Sequence, residues 1–119
     1  MPTAADAVAR IRALLSDRCD LRHKVYQTAD HRLAGHCYVA SEALYHLTGA
    51  AARWIVCRMR VGTCTHWFLK DRASGEIVDP TADQFGFELD YSKATHTGFL
   101  TKKPSLRATI VLEEIGSNN

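Results

Sequence analysis

The sequence predicts an α+β fold in which a helix packs on a small antiparallel sheet, and three observations carry that expectation. Two segments repeat apolar residues at helical spacing, one near the N-terminus and one ending at Leu47. Between residues 53 and 79, short runs rich in β-branched and aromatic residues alternate with turns that contain glycine. No repeat, low-complexity tract or linker divides the 119 residues. They are therefore expected to form one domain, large enough to bury a core without metal or disulfide staples.

In chain order, residues 4 to about 17 place Val8, Ile11, Leu14 and Leu15 on one stripe, with Arg10, Arg12 and Asp17 outside it. Residues 19–33 are polar and weakly patterned and read as a long loop, with a short extended piece at Lys24-Val25-Tyr26. A helix from about His36 to Leu47 presents Val39, Ala40, Ala43, Leu44 and Leu47, and Gly49 stops it. Arg53 to Arg60 reads as a strand, Val61-Gly62-Thr63 as a turn and Cys64 to Lys70 as a second strand. Arg72-Ala73-Ser74-Gly75 then turns the chain into Glu76 to Asp79. Past Pro80, Thr81 to Phe85 reads as a helical turn or tight loop, Phe87 to Leu89 as a short strand, and residues 90–103 as loop. Pro104 stands at the first turn of a last helix that offers Leu106, Ile110 and Leu112 for packing, although Ala108 to Leu112 suits a strand equally well.

Composition excludes several classes of function. With 46% hydrophobic and 24% charged residues the chain is an ordinary globular one, not a disordered one. A net charge of +2 with no basic stripe or charged tail gives no reason to expect nucleic acid. No apolar run approaches the ~18–20 residues that span a bilayer, so no membrane is expected. The N-terminus lacks the charged and apolar regions of a secretory signal. A cytoplasmic protein is the expectation, with Cys19, Cys37, Cys57 and Cys64 as reduced thiols.

The chemistry concentrates in three residues. Cys37 follows Gly35-His36 at the start of the second helix, His66 sits in the apolar strand Thr65-His66-Trp67-Phe68-Leu69, and Asp79 ends the run Glu76-Ile77-Val78-Asp79. Each has an ordinary explanation alone: a buried thiol, a core histidine, a turn residue before Pro80. Together they supply a nucleophile, a base and an orienting carboxylate, the minimum machinery for acyl transfer. A neutral thiol attacks poorly. The positive end of a helix and a neighbouring imidazolium both favour the thiolate. The backbone N–H of Cys37 is an expected oxyanion donor, and Gly35 permits a sharp turn and close approach of substrate.

In these motifs the chain resembles the transglutaminase-like core of the papain-like cysteine-enzyme superfamily. The resemblance runs from Gly35 to Thr81: Gly35-His36-Cys37 with Ala40 at a helix start, Gly49 before a strand, His66-Trp67 on a strand, and Asp79-Pro80-Thr81 after a glycine turn. It implies Cys37 as nucleophile, His66 as general base and acid, and Asp79 as the orienting carboxylate. It also implies a papain-like fold and a peptidase, amidase, deamidase or transglutaminase-like activity. The family often has His-x-Trp where this chain has adjacent His66-Trp67, and the chain lacks the accessory domains of transglutaminases. Gln27 is a second oxyanion candidate by analogy with papain-like enzymes, where a Gln precedes the nucleophile. His36, Tyr38 and Trp67 are further candidates near the site, with Tyr26 also competing for the oxyanion role.

The expected substrate is a peptide, a protein side chain or a small amide, with no cofactor. The alternative is a non-catalytic domain of the same fold that binds a peptide or small ligand. A zinc site built from His36, Cys37, Cys57, Cys64 and His66 is disfavoured, because the chain has no Cys-x-x-Cys knuckle and His36 and Cys37 diverge from a helix. The set Arg12, Arg18, Arg22, Lys24 and Arg32 reads as a solvated face, and His23, His31, His46 and His96 as surface or core histidines.

Overall fold

A computed structural model describes residues 3–18, 36–62, 64–85, 87–99 and 103–117. The expected loop around Lys24-Val25-Tyr26, together with Cys19, Gln27 and Gly35, lies outside them. The described residues form α1 (Ala4–Ser16), α2 (Cys37–Leu47), the short α3 (Ala50–Arg53), β1 (Trp54–Val61), β2 (Cys64–Asp71), β3 (Ile77–Val78), β4 (Thr95–Thr97) and α4 (Leu106–Ser117). The fold is α+β, with four antiparallel strands in the order β3-β2-β1-β4.

Local chemistry accounts for the elements. Thr3 caps α1 by accepting the Asp6 N–H at 3.1 Å, and Asp6 places a negative charge in the first turn. Ala7, Ile11 and Leu15 then bury the stripe that faces α2 and α4. Gly49 ends the second helix region with φ +125°, a conformation in which an added Cβ would meet Arg53 Cβ at 2.9 Å. The β1–β2 hairpin pairs Trp54 with Asp71 through Val61 with Cys64.

Strand alternation sends the two faces of the sheet into two cores. Trp54, Val56, Trp67 and Leu69 join the helices in the larger cluster, whereas Cys57, Met59 and Phe68 form a smaller one on the opposite face. The buried indole of Trp54 donates to Thr48 Oγ1 at 2.9 Å, which satisfies its one donor.

Two expectations after Pro80 are corrected. Phe87 to Leu89 is not a strand, and the region 90–103 is not simply loop, because Thr95–Thr97 forms β4 on β1. Thr-His-Thr lacks an apolar alternation, so its pairing is decided by the neighbouring edge of β1 and not by its own pattern. Leu89 and Tyr91 instead pack over the smaller core and cover the second face of the sheet. The C-terminal segment is helical, and its buried stripe is Ala108, Val111 and Ile115, while Leu106 is exposed. Pro104 precedes the cap and is not in the first turn: Ser105 Oγ accepts the Ala108 N–H at 3.2 Å. The cap is itself held by Glu42, a buried α2 carboxylate that accepts from Ser105 N–H at 2.7 Å and Ser105 Oγ at 2.6 Å.

Candidate active site

The position of Cys37 follows from how α2 meets β2. Among the described residues β3 pairs only with Leu69 and Lys70, and none adds a strand to the first half of β2 on that side. The start of α2 lies there instead. Cys37 Sγ donates to Thr65 O at 3.7 Å and Ser41 Oγ donates to Trp67 O at 3.1 Å. Four helical residues rise ~6 Å and two strand residues ~6.6 Å, so donors four apart on a helix match acceptors two apart on a strand. Ser41 therefore sets the register that places Cys37 beside the residue preceding His66.

The turn after β2 brings Asp79 to the same place. Asp71 Oδ1 accepts the N–H groups of Ala73 and Ser74, Gly75 adopts φ +76°, and the chain reverses into β3. Continuing the β2–β3 register sets Asp79 opposite Phe68, on the face that also carries His66. His66 Nε2 and Asp79 Oδ2 are 2.6 Å apart, with the imidazole fully buried and the carboxylate 3% exposed. Asp79 Oδ2 also accepts from Tyr91 Oη at 2.8 Å, and Oδ1 from Thr81 N–H at 3.2 Å. Phe85 meets the imidazole edge-on at 5.0 Å and Phe68 stacks on it at 6.1 Å, so the ring is confined on its faces as well as at Nε2.

Burial by itself would lower the pKa of His66. The hydrogen bond to Asp79 and the neighbouring Cys37 thiol outweigh it and raise the value to about 9. The sulfur of Cys37 lies beside the ring, and its hydrogen bond and charge favour the imidazolium, while in its thiol form the S–H can donate to Thr65 O. At neutral pH His66 is thus an imidazolium between the Asp79 carboxylate and the Cys37 sulfur. Burial and the hydrogen bond to Asp79 raise the pKa of the Tyr91 hydroxyl, which keeps it a donor.

The remaining expected residues fall in different places. His36 is buried at the N-cap position of α2 with no side-chain capping bond, and Tyr38 is half-buried with its ring edge-on to Trp67 at 4.8 Å. Trp67 alternates with His66 and points to the opposite face, into the larger core, as the adjacency of the two residues requires. Cys57 lies in the smaller core opposite Phe68, away from the start of β2. Among the described residues no group of three or more His, Cys, Asp or Glu side chains is placed to hold a metal ion.

Arg12 corrects the expectation of a solvated basic face. Its guanidinium makes a two-pronged contact with Asp83 at 2.7 and 2.8 Å and donates to Pro80 O at 2.8 Å. It ties α1 to the turn that follows Asp79. Arg18 likewise pairs with Glu114 of α4.

Tyr91, Phe85 and Arg12 were not legible as site residues. Tyr91 is 12 residues beyond Asp79 and Arg12 is 68 before Pro80, with no shared periodicity to connect them. Ser41 did carry a signal: a small hydroxyl four residues after Cys37, inside an apolar helix stripe. No family model matches the chain, and no curated protein or solved structure matches it at a significant level.

Proposed function

We propose that the protein is a cytoplasmic cysteine-dependent acyl-transfer enzyme with a papain-like, transglutaminase-like core, acting on an amide through a thioester. The observation that carries the reading is the placement of buried His66, bonded through Nε2 to Asp79 and flanked by the thiol at the start of α2.

In this reading, Cys37 Sγ attacks the carbonyl carbon of the substrate amide as a thiolate paired with the His66 imidazolium. The C–S bond forms, and the carbonyl π electrons move to oxygen, where the α2 N-terminus and the Cys37 N–H supply stabilisation. Collapse breaks the C–N bond as Nδ1 of His66 gives its proton to the leaving amine. Water or a second amine, deprotonated by the now neutral imidazole, attacks the thioester and releases Cys37. Asp79 keeps Nε2–H fixed throughout, so Nδ1 is the nitrogen that exchanges the proton. A raised His66 pKa fits this order, since an imidazolium is already present to act as acid.

The test is selective alkylation. Iodoacetamide at neutral pH is expected to label Cys37 at least about 10-fold faster than any other cysteine in the chain, with the advantage lost in His66→Ala. Equal labelling of the cysteines would remove the reading and favour a binding domain on the same fold. Incubation with an activated amide should then trap an acyl adduct at Cys37 by mass spectrometry.

A further inference from the structure

A cavity of about 560 Å³ opens where β1, β2 and the chain leading into β4 meet, and its described lining residues are Arg58, Met59, Arg60, Thr65, Lys93 and Thr95. Three of the six carry positive charge and none carries negative charge. Among the described residues no carboxylate forms a salt bridge with Arg58, Arg60 or Lys93. Asp90, which feels the charge of Lys93, has its Oδ1 engaged by the N–H and hydroxyl of Ser92.

Register ties this cavity to the thiol. Arg58 opposes Trp67 on one side and Thr95 on the other, and Arg60 opposes Thr65. Opposed residues share a face, and this is the face that α2 covers. The Arg58 guanidinium lies 5.8 Å over the Trp67 ring, which also meets Phe99 and Tyr38, the residue after Cys37. Thr65 belongs to both places: it lines the cavity, and its carbonyl accepts the Cys37 S–H. The positively charged cavity and the thiol therefore have Thr65 in common.

We propose that this cavity is an anion subsite, which holds a carboxylate or phosphate group of the substrate while Cys37 attacks its acyl carbon. The inference rests on the acyl-transfer reading and names the substrate class: an amide that carries a small oxyanion near the bond to be broken. Arg58, held near the Trp67 ring, offers planar donors that suit a two-oxygen anion, and Arg60 and Lys93 add positive charge.

The experiment compares iodoacetate with iodoacetamide, two reagents that alkylate the same sulfur and release iodide but differ in charge. The ratio of their rates at Cys37 is expected to exceed that of a free cysteine by about 10-fold, and to fall about 5-fold in Arg58→Gln/Arg60→Gln and again at ~0.5 M salt. Circular dichroism confirms that the variant is folded. A ratio that the substitutions leave unchanged, with rapid iodoacetamide labelling, overturns the subsite and leaves the acyl-transfer reading standing. Failure of both reagents at Cys37 overturns the acyl-transfer reading. In that event, amide shifts on titrating Cys37→Ser with inorganic phosphate or with succinate decide the subsite. Saturating shifts at Arg58, Arg60, Thr65 and Lys93 support it, the stronger of the two ligands identifies the oxyanion, and shifts that do not saturate with either ligand overturn it.

Discussion

Asp79→Asn isolates the charge that holds His66. The carboxylate accepts three donors, His66 Nε2 and Tyr91 Oη at Oδ2 and Thr81 N–H at Oδ1. An asparagine presents one oxygen and one NH2, so either orientation turns a donor toward a donor. The mismatch costs about 1–2 kcal/mol at any pH. The larger effect depends on protonation. His66 rises from 6.5 to about 9 in the folded protein, so its contribution is fully present below pH 6.5 and is lost as pH rises through 9. That rise corresponds to roughly 3 kcal/mol. Without the carboxylate, only Cys37 opposes burial and the folded-state pKa falls. The variant should therefore be less stable than the parent by up to about 4–5 kcal/mol at pH 6 and by about 1–2 kcal/mol at pH 10. Urea unfolding at the two pH values measures the difference, and an NMR titration of the His66 ring measures its cause. A stability gap that is the same at pH 6 and pH 10, or a His66 titration unmoved by the substitution, would refute this account of the pair.

Tyr91→Phe removes one of the donors and leaves the charge. It should lower stability by about 1 kcal/mol and move the His66 titration by less than half the shift seen in Asp79→Asn, which the same NMR experiment reads. Glu42→Gln weakens the two bonds to Ser105, so α4 should lose about 1–2 kcal/mol, seen as faster hydrogen exchange of its first-turn amides. Gly49→Ala forces a side chain into a φ of +125° and against Arg53 Cβ, and thermal unfolding should show a loss of about 1–3 kcal/mol.

What the sequence made legible was periodic or punctuated. The stripe through Ile11 and Leu15, the helix between Cys37 and Gly49, and the hairpin around Gly62 each announce themselves within ten or so residues, and each lies where expected within a residue or two. The order Cys37, His66, Asp79 was legible because local motifs surround each residue. The contacts that hold these residues in place connect distant parts of the chain: Tyr91 to Asp79, Arg12 to Pro80 and Asp83, and Glu42 to Ser105. Such pairs leave no local pattern, because each partner is a common polar residue whose importance arises only from folding. β4 escaped for a related reason, since a three-residue polar edge strand takes its structure from β1.

The seating of α2 on β2 has a consequence for association. A strand edge with open carbonyls is a template on which another chain can add itself, and among the described residues the first half of β2 would present one, since β3 pairs only with Leu69 and Lys70. Cys37 and Ser41 occupy two of those carbonyls, at Thr65 and Trp67, with side chains from a helix, which cannot extend the ladder. At the other end of the sheet, among the described residues, β4 forms an edge of three residues, too short to recruit a partner strand firmly. The helix that carries the thiol thereby protects the sheet from edge-to-edge aggregation. A substitution at Ser41 chosen to alter reactivity should be checked first for loss of monomer.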